Sequence, residues 1–414
     1  MNAWRKIVMG FGIALVAGIG FYNRVEIRRH IAERSAVARM KFHHRLASVW
    51  SKPLSIAGFQ SAAISANGKF IVAITRVPNV ISVYQQDQRL VWSHSTEDIG
   101  SALISNDGKF VLAFTALDPL HPTIRVYSGP KGAEVTDFRL DGAVWDVDIS
   151  NDGTLATVVT GTRSLYRIHL TSTPTLDNER LVLAGIGNSV ATSADGKYVA
   201  AGTWDESGVS ISDGVSTWKC ADHLPGQPAA TSSNPVVNRL FEAQIAYNDR
   251  YILGISYRNL RHSAPYVYLW SLGAHGETHG SLLWAPRELG ADTIFPKAMI
   301  TANGQYIALT YLTSVVHNDR KLQERHLLVL DHYGNEVCSL PGFLLSPHLV
   351  AVSADGSSII VHDGKRALYS VTPDGRMSLG RTMPSTIMQT IASEDGRFIL
   401  VYTRDGNLNL YRIA

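Results

Sequence analysis

The 414-residue chain holds only two cysteines, Cys220 and Cys338, and no Cys-x-x-Cys pair, which excludes a disulfide-stapled fold and a thiolate zinc site. A bond between the two is not expected either, because the repeats described below put them on outer strands of non-adjacent units. Charge of one sign is also missing. The 38 basic and 35 acidic side chains leave a formal charge of +3 and no run of five or six like charges, so no nucleic-acid partner is expected. Gly-x-Ser-x-Gly and the Walker loop are absent, which removes the serine hydrolases and nucleotide-binding loops most readily read from sequence.

Long apolar runs are scarce, with one exception. Residues 7–22, IVMGFGIALVAGIGFY, carry no charge and no polar face, and follow Arg5-Lys6. As a helix they would cover about 24 Å of a hydrocarbon core about 30 Å thick, with Trp4 and Tyr22 at the interfaces. The segment also fits a secretory signal peptide in its basic start and length, but no small-x-small cleavage site precedes a polar mature start, so an uncleaved anchor is preferred. This divides the chain into an N-terminal tail and transmembrane anchor (1–23), a helical juxtamembrane stalk (24–44) and the remainder (45–414). Arg24, Arg28, Arg29, Arg34, Arg39 and Lys41 after the span would favour a cytoplasmic C-terminal side. A short basic tail before a first apolar helix is, however, the pattern of a signal anchor, and the expectation is a single-pass protein with residues 45–414 outside the cytoplasm.

The remainder repeats itself. ISANGKFIVAIT (64–75), ISNDGKFVLAFT (104–115), ISNDGTLATVVT (149–160), TSADGKYVAAGT (192–203), ITANGQYIALTY (300–311), VSADGSSIIVHD (352–363) and ASEDGRFILVYT (392–403) align without gaps. IAYNDRYILGIS (245–256) is a degenerate copy with Asp249 in place of the glycine. The turn positions are separated by 40, 45, 43, 53, 55, 52 and 40 residues, a period that marks a repeat architecture. Asn-Gly or Asp-Gly predicts a tight two-residue hairpin turn between strands A and B. A third run follows in each unit, such as ISVYQQ (81–86) or LNLYRI (408–413), and in most a fourth, such as RLVWSH (89–94). Four antiparallel strands at this period describe a propeller blade. The eighth unit stops at Ala414 after its third strand, and RLASVWSKP (45–53), which resembles RLVWSHSTE (89–97), has no hairpin of its own. The expected fold is therefore all-β: an eight-bladed propeller of four-stranded antiparallel blades, closed by an N-terminal strand and preceded by one transmembrane helix.

With S-x-D-G-K at the A–B turn, residues 45–414 resemble the WD40-like and quinoprotein-like propellers. WD40 repeats imply Trp-Asp at the end of the third strand, but Trp145-Asp146 and Trp204-Asp205 fall on other strands and read as packing or surface residues. Quinoproteins imply tryptophans at recurrent blade-docking positions; the eight tryptophans here show no such period, and no quinone or other cofactor is expected.

Catalytic constellations are not evident. His275-Gly-Glu-Thr-His279 lacks the HExxH order and reads as a solvated loop, His43-His44 adjoin the stalk, and Asp87, Asp118, Asp177, Asp331 and Asp374 sit where carboxylates stabilise turns. Loop length is more informative. The B–C connections SYRNLRHSAPY (256–266) and TSVVHNDRKLQERH (313–326) and the D–A stretch 222–242 converge on one face of blades five and six. Arg258, Arg261, His262, Arg320, Lys321 and Arg325 make this rim basic, so it is the candidate site for a protein partner with an acidic surface, in a membrane or envelope complex. The alternative is a propeller enzyme holding a small substrate, metal or quinone in the central channel, and fold alone does not choose between them.

Overall fold

Strand B of each unit opens with a nearly unbroken apolar run, among them FIVAI (70–74), FVLAF (110–114) and FILVY (398–402). A strand with one wet face alternates; an unbroken run needs cover on both faces. The computed structural model supplies that cover. It describes residues 46–413 apart from 51–52, 97–98, 116–117, 119, 121, 178–179, 206–207, 222–238, 247, 259–264, 274–278, 291–292, 318–319 and 341–347. Eight antiparallel blades stand radially around a channel, each running from inner strand A to outer strand D. The inner strands are Phe59–Ile64, Ser101–Ile104, Val144–Ile149, Ile186–Thr192, Arg239–Ile245, Thr293–Ile300, His348–Val352 and Ile387–Ala392.

Successive residues of strand B then serve opposite neighbours. Ile71 and Ala73 pack with Phe398, Leu400 and Leu410 of blade eight, while Val72 and Ile74 pack with Ala102, Val111 and Ala113 of blade two. The same division recurs around the ring, so that each of the eight blade interfaces holds its own apolar cluster. At roughly 25 cal/mol per Å² of buried apolar surface, these interfaces dominate the stability of the ring.

The ring closes as the repeat count requires. Leu46–Ser48 pairs antiparallel with the last strand, Asn407–Ile413, in the register Leu46↔Ile413 to Ser48↔Tyr411, becoming strand D of blade eight. Leu54–Ser55 pairs with the other end of that strand. The anchor and stalk segments, 1–23 and 24–44, lie outside the described residues. Among the described residues no helix is long and apolar enough to cross a membrane.

The repeated turn differs in detail from a two-residue hairpin. In blade two, Ser105 N donates to Phe110 O and Gly108 N to Ser105 O, so four residues connect the closing pair. Only the glycine is left-handed, with φ 70°, and Asp107 acts through its side chain: Oδ1 accepts from Ser105 Oγ and from Lys109 N. The sequence pattern is thus Ser for a bracing hydroxyl, Asp for an acceptor and Gly for the backbone. The aromatic residue that follows has a separate task. Phe70 of blade one lies over Gly108 of blade two, where an added Cβ would stand 2.3 Å from its ring, and Phe398, Tyr251 and Tyr306 stand in the same relation to Gly68, Gly304 and Gly356. Asp249 adopts the left-handed conformation of the missing glycine, φ 54°, and its Oδ1 accepts from Ala194 N of the preceding blade at 2.8 Å.

The tryptophans do recur, contrary to the sequence expectation. Just after strand D of blade eight, Trp50 Nε1 donates to Gln86 O of blade one, and on strand D of blade one Trp92 Nε1 donates to Gly129 O of blade two. Trp284 covers Gly334 of blade six, and Trp218 packs on His279 of blade five with ring centroids 4.6 Å apart. All four meet the C–D turn of the following blade. Variable loop lengths hide this spacing from a linear reading.

Candidate functional site

The rim of blades five and six is built differently from the loop cluster that the sequence suggests. Residues 313–326 are not a loop. Strands B and C of blade six run Tyr306–His317 and Arg320–Asp331, paired without interruption from Tyr306↔Asp331 to His317↔Arg320. Strand A of this blade pairs only as far as Thr313 and strand D only as far as Leu327. Ser314–His317 and Arg320–His326 therefore form a two-stranded ribbon whose outer edges are unpaired among the described residues. At about 3.3 Å per residue its last four rungs extend roughly 13 Å beyond strand A.

Arg320, Lys321 and Arg325 lie on strand C of this ribbon, opposite His317, Val316 and Leu312. Arg258 ends strand B of blade five, opposite Arg239. Arg261 and His262, with residues 222–238 of the D–A stretch, lie outside the described residues. Blades four and five are joined at this same face, because Trp204 and Asp205 at the end of strand B in blade four pair with Leu240 and Arg239. The ribbon thus projects beside a fused pair of blades.

The channel contributes groups that the sequence reading passed over. Asp146, read from sequence as packing or surface, lies on strand A of blade three, where its Oδ2 accepts from Val190 N of blade four at 2.9 Å and Oδ1 from Val147 N. Two residues on, Asp148 Oδ2 accepts from Thr192 N at 2.6 Å. Burial pushes the Asp146 carboxyl up to about 7, reinforced by the charges of Asp148 and Glu242 and opposed by the backbone donors. Burial likewise raises Asp148 to about 6. Glu394, in the A–B turn of blade eight, keeps open surface in the channel yet is ringed by protein, and the surrounding protein governs: burial first, then the charges of Asp148 and Asp395, hold its carboxyl well above the usual range. These side chains line a cavity of ≈ 580 Å³ together with Asn188, Gln244 and Met299. Lys297 of blade six supplies the opposite charge; part of its side chain stays exposed, while the protein packed around the rest lowers its pKa and Glu242 works against that.

Most of these groups also tie blades together. Inner strands of adjacent blades share no ladder, so side chains bridge them: Ser61 Oγ to Gly100 O, Gln244 Nε2 to Ala298 O and Lys297 Nζ to Leu349 O, with Ser189 Oγ accepting from Ala243 N. Among the described residues no three His, Cys, Asp or Glu side chains converge as metal ligands. His279 is half-buried rather than a free loop side chain: its ring packs on Trp218 and Tyr198. The turn carboxylates behave as the sequence suggests, Asp87, Asp118 and Asp331 accepting from the backbone N–H groups of Arg89, Leu120 and Tyr333.

No family model matches the sequence, and no curated protein matches it. Solved structures do. The chain is similar to the Dos1 propeller, with a TM-score of 0.60 at 13% identity over 89% of this chain and 95% of that one. It is similar to the computationally designed Ika8 protein, at 0.56 and 12% over 88% and 100%. It is also similar to the hydrazine synthase of Kuenenia stuttgartiensis, at 0.52 and 13% over 88% and 98%. The fold is an eight-bladed β-propeller. At such identities only the fold is shared, and a designed protein beside a named enzyme shows how little that fold says about activity.

Proposed function

We propose that this chain is a membrane-anchored protein-interaction scaffold whose docking surface is the face of blades five and six, with the blade six ribbon as its arm. The ribbon carries this reading. Its unpaired edges offer backbone donors and acceptors to a partner strand, an arrangement that folded proteins otherwise cover or blunt. Arg258, Arg261, His262, Arg320, Lys321 and Arg325 bias the partner toward an acidic surface, chiefly through association rate and specificity. Residues 7–22 hold the propeller at the membrane, on its extracytoplasmic side.

The test is cross-linking of the full chain in its native membrane. A partner captured by the native protein is expected to be lost when Arg258, Arg261 and Lys321 are all changed to Glu, with the thermal transition retained. Unchanged capture would overturn the assignment of this face.

A second reading rests on the channel: a cavity of ≈ 580 Å³ whose carboxyls are poised to exchange protons near neutral pH can hold a small polar ligand or support acid–base chemistry.

A further inference from the structure

Lys297, Thr310 and Arg325 lie on strands A, B and C of blade six. Thr310 is opposite Lys297 in the register, and Arg325 is opposite Leu312, one diagonal step from Thr310. Side-chain alternation sends all three toward blade seven, as it does Ala308 and Leu327, which pack there against Leu349 and Val361. Two of the three carry a buried polar atom without a hydrogen bond. Thr310 is 1% exposed and its Oγ1 makes no hydrogen bond among the described residues; the buried Nε of Arg325 makes none either. Lys297 Nζ reaches only the carbonyl of Leu349, at 3.2 Å, on the first strand of blade seven.

The charge is as unbalanced as the hydrogen bonding. Burial alone lowers the pKa of Arg325, with no carboxylate among the described residues offsetting it. Glu242 faces Lys297 from blade five. Beside Leu349, His348 stacks on its cross-strand partner His362 with ring centroids 4.5 Å apart and an interplanar angle of 14°. His362 Nδ1 accepts from Gly364 N, which fixes a neutral acceptor form. Burial, then the charge of Arg325, hold His348 down to about 4, with Lys297 adding to this and Asp363 opposing; burial, then His348, Lys297 and Arg325, hold His362 down to about 3. Asp363 Oδ1 is taken by the backbone N–H groups of Lys365 and Ala367. On the ribbon, His326 bonds Thr313 Oγ1 and is faced by Glu324.

A half-buried guanidinium whose buried Nε is unpaired and a buried hydroxyl without a partner, beside an ammonium and two neutral imidazoles, form a site that lacks an anion. We propose that the junction of blades six and seven binds a small tetrahedral oxyanion, a sulfate or phosphate group, held by Arg325, Lys297 and the Thr310 hydroxyl. The anion screens His348 from both cations, so it binds with proton uptake there and more tightly in acid. Arg325 is shared with the proposed docking face, but the two readings fail separately: sulfate binding tests this site, and the partner-capture variants leave Arg325 unchanged.

Calorimetry on the full chain tests this with inorganic sulfate, whose charge is constant between pH 5 and 7. The expected result is saturable binding at least threefold tighter at pH 5 than at pH 7, with proton uptake read from buffers of different ionisation enthalpy. Arg325→Gln should weaken it at least tenfold. Thr310→Val, which removes an unpaired hydroxyl at constant shape, should fold at least as well as the native chain yet bind several-fold more weakly. A second arm at pH 7 compares inorganic phosphate with glycerol phosphate: equal binding assigns the site to a phosphomonoester group, a preference for the free ion to inorganic phosphate. Absence of saturable binding, or binding unchanged by Arg325→Gln in a folded protein, would overturn the proposal, leaving bound water as the partner of these groups.

Discussion

At the scale of single residues, the A–B turn separates two reasons for glycine. Gly108 and Gly153 share a left-handed backbone, φ 70° and 72°, but an added Cβ meets the Phe70 ring at 2.3 Å in the first case and only an ordinary 3.4 Å contact in the second. Gly153→Ala should therefore cost about 1–2 kcal/mol, the backbone term alone. Gly108→Ala should cost a further ~1–3 kcal/mol for overpacking. Denaturant midpoints of the two variants measure the difference, and equal losses would remove Phe70 from the account. Asp249 shows the same position solved by other means: an aspartate tolerates the left-handed region and spends its carboxylate on the Ala194 N–H of the neighbouring blade.

Among the elements, the closing strand decides whether the ring behaves as one unit. Leu46 is 3% exposed and packs among Val350, Ile360 and Tyr411, and Trp50 joins blade eight to blade one. Removing Leu46–Ser48 from the full chain frees one edge of Asn407–Ile413 and opens the apolar cluster beneath. Hydrogen exchange should then accelerate at the last strand and in blades seven and eight, and much less in blades three and four. Uniform acceleration around the ring would mean that closure acts on all blades together. The blade six ribbon is the opposite kind of element, twelve residues per strand with no sheet neighbour at its tip among the described residues, and it is the least protected part of strands B and C on the same physical grounds.

For the whole molecule, the channel acids and the blade seven histidines tie stability to pH in opposite senses. Asp146 is raised to about 7 in the folded state from an ordinary 3.8, so the native protein holds a proton that the unfolded chain has released; this contribution is fully present below pH 3.8 and is lost as pH rises to about 7. His348 and His362 are depressed to about 4 and about 3 from 6.5, so their contribution is present above pH 6.5 and is lost as pH falls. Single variants separate the two. The stability of Asp146→Asn relative to the native chain should improve between pH 5 and pH 8, by an amount of order 1–3 kcal/mol, whatever its cost at either pH. A difference that is flat with pH would show that Asp146 ionises normally.

The periodic features were legible in the sequence because they are local. Ser-x-Asp-Gly closes a turn with its own atoms, and an unbroken run such as FIVAI demands cover on both faces, so the blade count and the closing segment near Leu46 follow from spacing alone. Distance in space had to come from the fold. Trp50, Trp92, Trp218 and Trp284 perform one packing role but are separated by loops of unequal length, so no linear period connects them. Asp146 reads as one more strand residue until blade four brings Val190 N against it and the ring crowds protein around its carboxyl. Residues 313–326, polar and charged, read as a loop because no apolar alternation marks them as strand, and the register that pairs them shows only in the fold. The sequence determined the repeat by contacts within a few residues, and its closure by a strand count that leaves the last unit one strand short; burial, charge balance and unpaired edges depend on which blades become neighbours, and the tertiary structure decided those.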